Sequence, residues 1–273
     1  MSVIDLIKSN NSEEPSPFLS EATTPAGKEI GKTLGNVFYF VFNRLNFSVE
    51  KLRIKQAESL DKFKEDIRNE LTQIPEEKLI EPQLNLLGPA LEASRFYIEN
   101  DELRKMFSRL IAASMNKDTA ENVQPSFVEI IKQLSPLDAA NLEILANNNN
   151  KLPIASFHIL HNNGGRTTFS QHVFLSNPNI TDIVKQSTSI SNLCRLGLIE
   201  IDYGRRLVDE SRYHDFENHP AYLDLKNSLQ KMNEEFENMH AVSTEIEKGI
   251  VRSTPFGELF MIICVGSYKE SNT

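Results

Sequence analysis

The stretch Asn100-Asp101-Glu102-Leu103-Arg104-Lys105-Met106-Phe107-Ser108-Arg109-Leu110-Ile111-Ala112-Ala113-Ser114 decides the fold class. Leu103, Met106, Phe107, Leu110, Ile111 and Ser114 recur at the three-to-four spacing of one helix face. Asn100 can accept a hydrogen bond from a first-turn N–H, and Asp101 and Glu102 sit where the helix dipole favours negative charge. Such a stripe needs a partner surface, and its neighbours supply one. Upstream, Leu86-Leu87-Gly88-Pro89-Ala90-Leu91 predicts a helix with Pro89 at its first position. Downstream, Pro125-Ser126 opens a third helix whose Phe127, Ile130, Ile131 and Leu134 face inward. Ser135-Pro136-Leu137-Asp138 then launches a helix to Ala146 and marks a boundary.

Further upstream, Val49, Leu52, Gln56, Leu60, Phe63, Ile67 and Leu71 trace an amphipathic helix that Pro75 ends. Glu58–Lys62 and Asp61–Lys64 are favourable pairs along it. Before it, Gly27, Gly31 and Gly35 recur every four residues and lead into Val37-Phe38-Tyr39-Phe40-Val41-Phe42, apolar all round. On a helix the glycines share one face, where a neighbouring backbone can approach closely. The apolar run is far shorter than the roughly 20 residues a bilayer crossing needs. Gly27, Gly31, Gly35, Phe38 and Phe42 are therefore candidate helix-packing residues, or membrane-contact residues in an activated state. Residues 1–26 hold polar and proline-rich sequence and read as a flexible tail, with a short helix-prone piece near Val3–Lys8 and no secretory signal.

The character changes after Asn147–Asn150. Leu152–His161 and Thr167–Ser176 predict strands joined by a turn at Asn162-Asn163-Gly164-Gly165. Asn177-Pro178 predicts a helix start, with Ile180, Ile183, Val184, Ser187, Ile190, Leu193 and Cys194 as its stripe and Gly197 as its stop. Leu198–Tyr203 and Gly249–Thr254 predict strands, and Pro255 begins a last helix to Val265. Between them, residues 206–247 form a charged insertion with a helical piece around Leu223–Met239. The fold expected is mainly α with a smaller α+β part: tail 1–26, helical region 27–134, and a winged-helix-like region 135–273. In a winged helix, Asn192 and Arg195 near the helix end, with Arg205 and Arg206 at the wing base, are candidate nucleic-acid contacts.

The chain has 273 residues, a net charge of −9, two cysteines and no tryptophan. Acidity is spread along both halves, without the basic excess of non-specific nucleic-acid binders. Two thiols build neither a disulfide framework nor a zinc site, and both Cys194 and Cys264 fall on apolar helix stripes. His158 and His161 on one strand point to opposite faces, so a metal is not expected of them, nor of nearby His172. His214 and His219 lie in an acidic loop and read as solvated side chains. Gly164-Gly165-Arg166 is explained by its turn, and Glu99 with Glu102 by helix-cap electrostatics. The sequence contains no Walker loop, no Gly-x-Ser-x-Gly elbow and no HExxH motif. No catalytic residue, cofactor or metal is expected, and the enzyme question leans to no.

Two blocks carry a resemblance. The first runs from Leu86-Leu87-Gly88-Pro89-Ala90-Leu91-Glu92 through Glu102–Phe107 to Pro125-Ser126-Phe127-Val128-Glu129-Ile130-Ile131-Lys132-Gln133-Leu134-Ser135. The second is Leu193-Cys194-Arg195-Leu196-Gly197-Leu198-Ile199 with Thr254-Pro255-Phe256-Gly257. Together they resemble the bacterial Abi-alpha family, named for abortive infection, over roughly residues 30–265. The resemblance implies a bacterial cytoplasmic setting and a role in phage defence, and it carries no catalytic residues across. The expected function is a non-enzymatic defence protein acting through a protein partner, a homo-oligomer or conditional membrane association. A nucleic-acid-binding regulator is the alternative.

Overall fold

A computed structural model of the chain describes residues 18–42, 50–235 and 241–266. The piece near Val3–Lys8, most of the expected tail, and the end of the helical insertion lie outside these residues. The chain divides into two units. One runs to Pro136 and takes in Ile262–Gly266; the other spans Leu137–Met261.

The first unit is helical: α1 (Pro25–Phe42), α2 (Glu50–Thr72), α3 (Leu84–Ser94), α4 (Asp101–Ser114) and α5 (Ser126–Ile131). Its centre is α4, which packs against α2, α3 and α5. Asn100 caps α4 as expected, accepting from Leu103 N at 2.9 Å. Leu103, Met106, Phe107, Leu110, Ile111 and Ser114 are all buried, and so is Arg104, which the sequence places off the stripe. Arg104 reaches Asp66 of α2 at 2.7 Å and Asp101 at 2.5 Å, so its charge is compensated where it is desolvated. From α2, Phe63, Ile67 and Leu71 enter the core. The Glu58–Lys62 and Asp61–Lys64 pairs form on its outer face.

Helix α3 departs from expectation. It starts at Leu84, so Pro89 lies inside it rather than at its first position. The burial of Leu86, Leu87, Ala90 and Leu91 against the unit's core explains the earlier start, despite the lost proline hydrogen bond.

The second unit opens with α6 (Pro136–Ala146), followed by the hairpin β1 (Lys151–His161) and β2 (Arg166–Val173). Then come α7 (Ile183–Arg195), β3 (Ile199–Asp202), α8 (His214–Glu217), α9 (Pro220–Glu235), β4 (Ala241–Ser253) and α10 (Pro255–Phe260). The sheet is antiparallel, in the order β2-β1-β4-β3. Strand β4 is longer than the sequence indicates: it pairs with β1 from Lys151↔Arg252 to His161↔Ala241. The charged insertion contributes a core of its own. Tyr213 and Phe216 bury against Ala155, Phe157 and Val173, and the Tyr213 hydroxyl donates to Gly249 O at 2.8 Å.

Helix α7 begins at Ile183, capped by Asp182, not at Asn177-Pro178. Asn177 is engaged elsewhere, since its Nδ2 donates to Asn141 Oδ1 of α6 at 2.8 Å. Asn141 Nδ2 donates in turn to Gln186 Oε1 at 2.9 Å and Ser189 Oγ at 3.0 Å. All four side chains are buried. Val184, read as part of the stripe, is 69% exposed, and Gln186 occupies the inner face. Gly197 follows the helix at φ +72°, the left-handed conformation that ends it.

The two halves of the second sequence block meet in space. Thr254 caps α10 by accepting from Gly257 N at 2.9 Å, and its hydroxyl donates to Gly197 O at 2.6 Å. Gly257 lies directly over Leu198, where a Cβ would stand 1.8 Å from the Leu198 carbonyl oxygen. That contact explains why a glycine sits three residues after the threonine.

Candidate functional site

Helix α1 carries the first group of candidate residues. Gly27, Ile30, Gly31, Leu34, Val37, Phe38 and Phe42 are buried, whereas Tyr39 is 59% exposed. The aromatic run is therefore one-sided, not apolar all round. Gly35 is half-buried beside this face. Phe38 stacks on Phe42 at 4.5 Å between ring centroids and packs against Phe18 at 5.2 Å and Phe63 of α2 at 6.0 Å. Phe42 also meets Phe63, at 6.2 Å. Among the described residues, no helix is long and apolar enough to cross a membrane.

At the amino end of α1, Thr24 accepts from Gly27 N at 3.1 Å. The Glu76 carboxylate then gathers both threonines that precede the helix. Its Oε1 accepts from Thr24 N at 2.7 Å and Thr24 Oγ1 at 2.5 Å; its Oε2 accepts from Thr23 N at 3.2 Å and Thr23 Oγ1 at 2.8 Å. Hydrogen bonds from the Thr24 hydroxyl and backbone, then from Thr23, pull the carboxyl down to about 2. A Cβ on Gly27 would stand 2.6 Å from Glu76 Oε1, so the first glycine of the repeat clears room for this carboxylate. The repeat alone points to Gly27. Thr24-Pro25 is a legible cap signal, but nothing local identifies Glu76.

The second group lies around the end of α7. Asn192 Nδ2 donates to Asp138 Oδ2 at 2.9 Å, and Asn192 Oδ1 accepts from Arg195 at 3.0 and 2.8 Å. Arg205 faces Asp202 at 3.4 Å, and Arg206 faces Glu210 at 3.1 Å. These cations sit beside carboxylates or amides of the same unit, which lowers the positive potential they present. Asn192 and Arg195 are brought together directly; Arg205 and Arg206 each have a separate acidic neighbour.

A third set does not follow from the sequence. Alternation places Ser156 and His158 on one face of β1, opposite the face carrying Ala155 and Phe157. Ser156 Oγ donates to the Tyr203 hydroxyl at 2.8 Å, and the His172 ring stacks on Tyr203 at 6.3 Å. His172 Nδ1 lies 3.2 Å from Ser191 Oγ, and burial keeps its ring below its usual range. Burial raises the Tyr203 phenol. His158 is 3% exposed, with Nε2 3.0 Å from Glu247 Oε2; Arg166 meets the same carboxylate at 3.2 Å. His161 Nε2 lies 2.8 Å from Thr167 Oγ1.

Both cysteines are dominated by desolvation. Burial raises Cys194 to about 11 and pushes Cys264 well up, so each is a thiol at neutral pH, not a nucleophilic thiolate. Among the described residues, no three His, Cys, Asp or Glu side chains gather as a metal ion would require.

A family model described as abortive infection alpha matches residues 55–264. No curated protein matches the chain, and no solved structure does. The matched range holds α3 to α10 and most of α2; α1 lies before it.

Proposed function

This chain belongs to the abortive infection alpha family, and we propose that it protects a bacterial cell against phage through contacts with a protein partner or between copies, with α1 meeting a membrane once infection releases it. The family match over residues 55–264 carries the defence part of this reading. The one-sided apolar face of α1 supports the membrane part, because an amphipathic helix that is not long and apolar enough to span can still lie in a lipid interface.

The second unit supplies the surface for contacts in this reading. Its order of α6, β1, α7, β3, β4 and α10, with β4 between β1 and β3, supports a winged-helix-like scaffold. The extra strand β2 and the segment between β3 and β4 depart from that pattern. The carboxylates facing Arg205 and Arg206 favour protein contacts over nucleic acid for this scaffold.

The test is phage challenge of bacteria with and without the gene. Lower plating efficiency, with collapse of the culture at high phage-to-cell ratio and survival at low ratio, supports abortive defence. Unchanged plating across a broad phage panel overturns it. Fractionation of the same cells checks the membrane part: the protein should pellet with membranes after infection and not before.

A further inference from the structure

We infer that Glu76 is a latch that keeps α1 docked on the first unit, and that opening it frees the helix from its amino end. Four donors from two adjacent residues converge on this one side chain, from 52 or 53 positions away. The latch is anchored to the core of its unit. Glu76 opens the short turn Glu76–Lys78, and that turn is fixed to the end of α4 by Ile80 N donating to Met115 O at 2.9 Å and Lys117 N donating to Lys78 O at 2.8 Å. Lys78 adds an ion pair with Asp118 at 2.6 Å.

The two ends of α1 are held by different physics. Toward Phe42 the contacts are apolar and non-directional, with Phe38 and Phe42 set against Phe63. At the amino end the hold is directional, charge-assisted and exposed to solvent, where a competing anion, a proton or a partner can reach it. The glycine repeat fits this arrangement, since Gly27 makes the space the carboxylate occupies. What the freed helix binds rests on the reading given above; the latch itself does not.

Hydrogen exchange on the full chain tests the latch, read over peptides from residues 25–42. Glu76→Ala removes the carboxylate, and Gly27→Ala crowds it from the other side. Each should speed exchange in this segment about tenfold while residues 101–114 keep wild-type protection, with Glu77→Ala as an unaffected control. Unchanged exchange over 25–42 in both variants overturns the latch. So does a rise that extends equally to 101–114, which is global loosening. Sedimentation with phosphatidylglycerol–phosphatidylethanolamine vesicles separates the latch from the membrane reading. Faster exchange with no vesicle binding leaves the latch standing and sinks membrane association. Vesicle binding without faster exchange overturns the latch.

Discussion

The two units differ in what their buried polar groups do: in the first, Ser94, Ser108 and Ser114 bond back to carbonyls of their own helices, whereas in the second Asn141, Asn177 and Gln186 bond across elements. Around α4 the first unit is filled with Leu87, Leu91, Phe107, Leu110, Ile111, Phe127 and Ile131, and its buried Arg104 is neutralised on site by Asp66 and Asp101. The second unit buries Asn141, Asn177, Gln186, Ser189, Ser156 and His158 alongside its apolar residues. An apolar interior tolerates changes that keep its volume and fails when a cavity opens. A hydrogen-bonded interior fails when one member leaves its partners without water or a mate. The first unit is thus specified mainly by shape, the second by pairing.

Four measurements can break or sharpen that contrast. The largest effect belongs to Leu110→Ala, at a fully buried position on α4; it should cost about 2–5 kcal/mol in urea denaturation. A loss below about 1 kcal/mol would mean that the site collapses and that shape does not govern this unit. Gly257→Ala comes next, because its new Cβ would press on the backbone carbonyl of Leu198 rather than on a flexible side chain. About 3 kcal/mol is expected from such overpacking. Wild-type melting of this variant would show that α10 shifts freely over Leu198.

Asn141→Leu should follow at about 2 kcal/mol, since it leaves Gln186 Oε1 and Asn177 Nδ2 buried without their partner. A neutral or stabilising result would turn the contrast around: the polar cluster would then add no more than an apolar filling. The smallest effect is on acidification. Burial lowers the rings of His172 and His219, so the unfolded chain binds protons first. Their contribution is complete above 6.5 and is lost as pH falls below it. The Glu76 carboxyl is depressed from 4.5 to about 2, so its contribution is present above 4.5 and lost toward 2. Hydrogen exchange followed downward from neutral pH should therefore loosen β2 and the start of α9 before the amino end of α1. The reverse order would refute both assignments.

The same contrast governs what is legible in the sequence. The phase of α4, its Asn100 cap and the inward residues of α5 follow from local periodicity, and the structure keeps them. The hairpin turn and the stop at Gly197 are legible for the same reason: each is fixed by nearby backbone chemistry. The start of α7 is not, because Asn177 and Asp182 are equally good cap residues and a partner 36 positions away, Asn141, decides between them. The length of β4 is hidden because Glu245, Glu247 and Lys248 read as a charged loop until β1 lies alongside. Of the α1 candidates, Gly27, Gly31, Phe38 and Phe42 are buried, on one side of a run that reads as apolar all round, while Glu76 belongs to no pattern near it. Long-range polar partners leave no periodic trace.

Residues 262–266 belong to the first unit although the whole second unit separates them from its other helices. Arg109 of α4 donates through Nη1 to the carbonyl of Val265, and Gly266 turns beside it at φ +77°. Translation meets these parts in order. Once Pro136 has been added, the ribosome must still add about 125 residues, on the order of 6–25 s of synthesis, before the last piece of the first unit begins to be made. A nascent chain in that interval, or one cut short by a nonsense codon, lacks the cover over Arg109. The helical unit therefore matures last, although its sequence comes first.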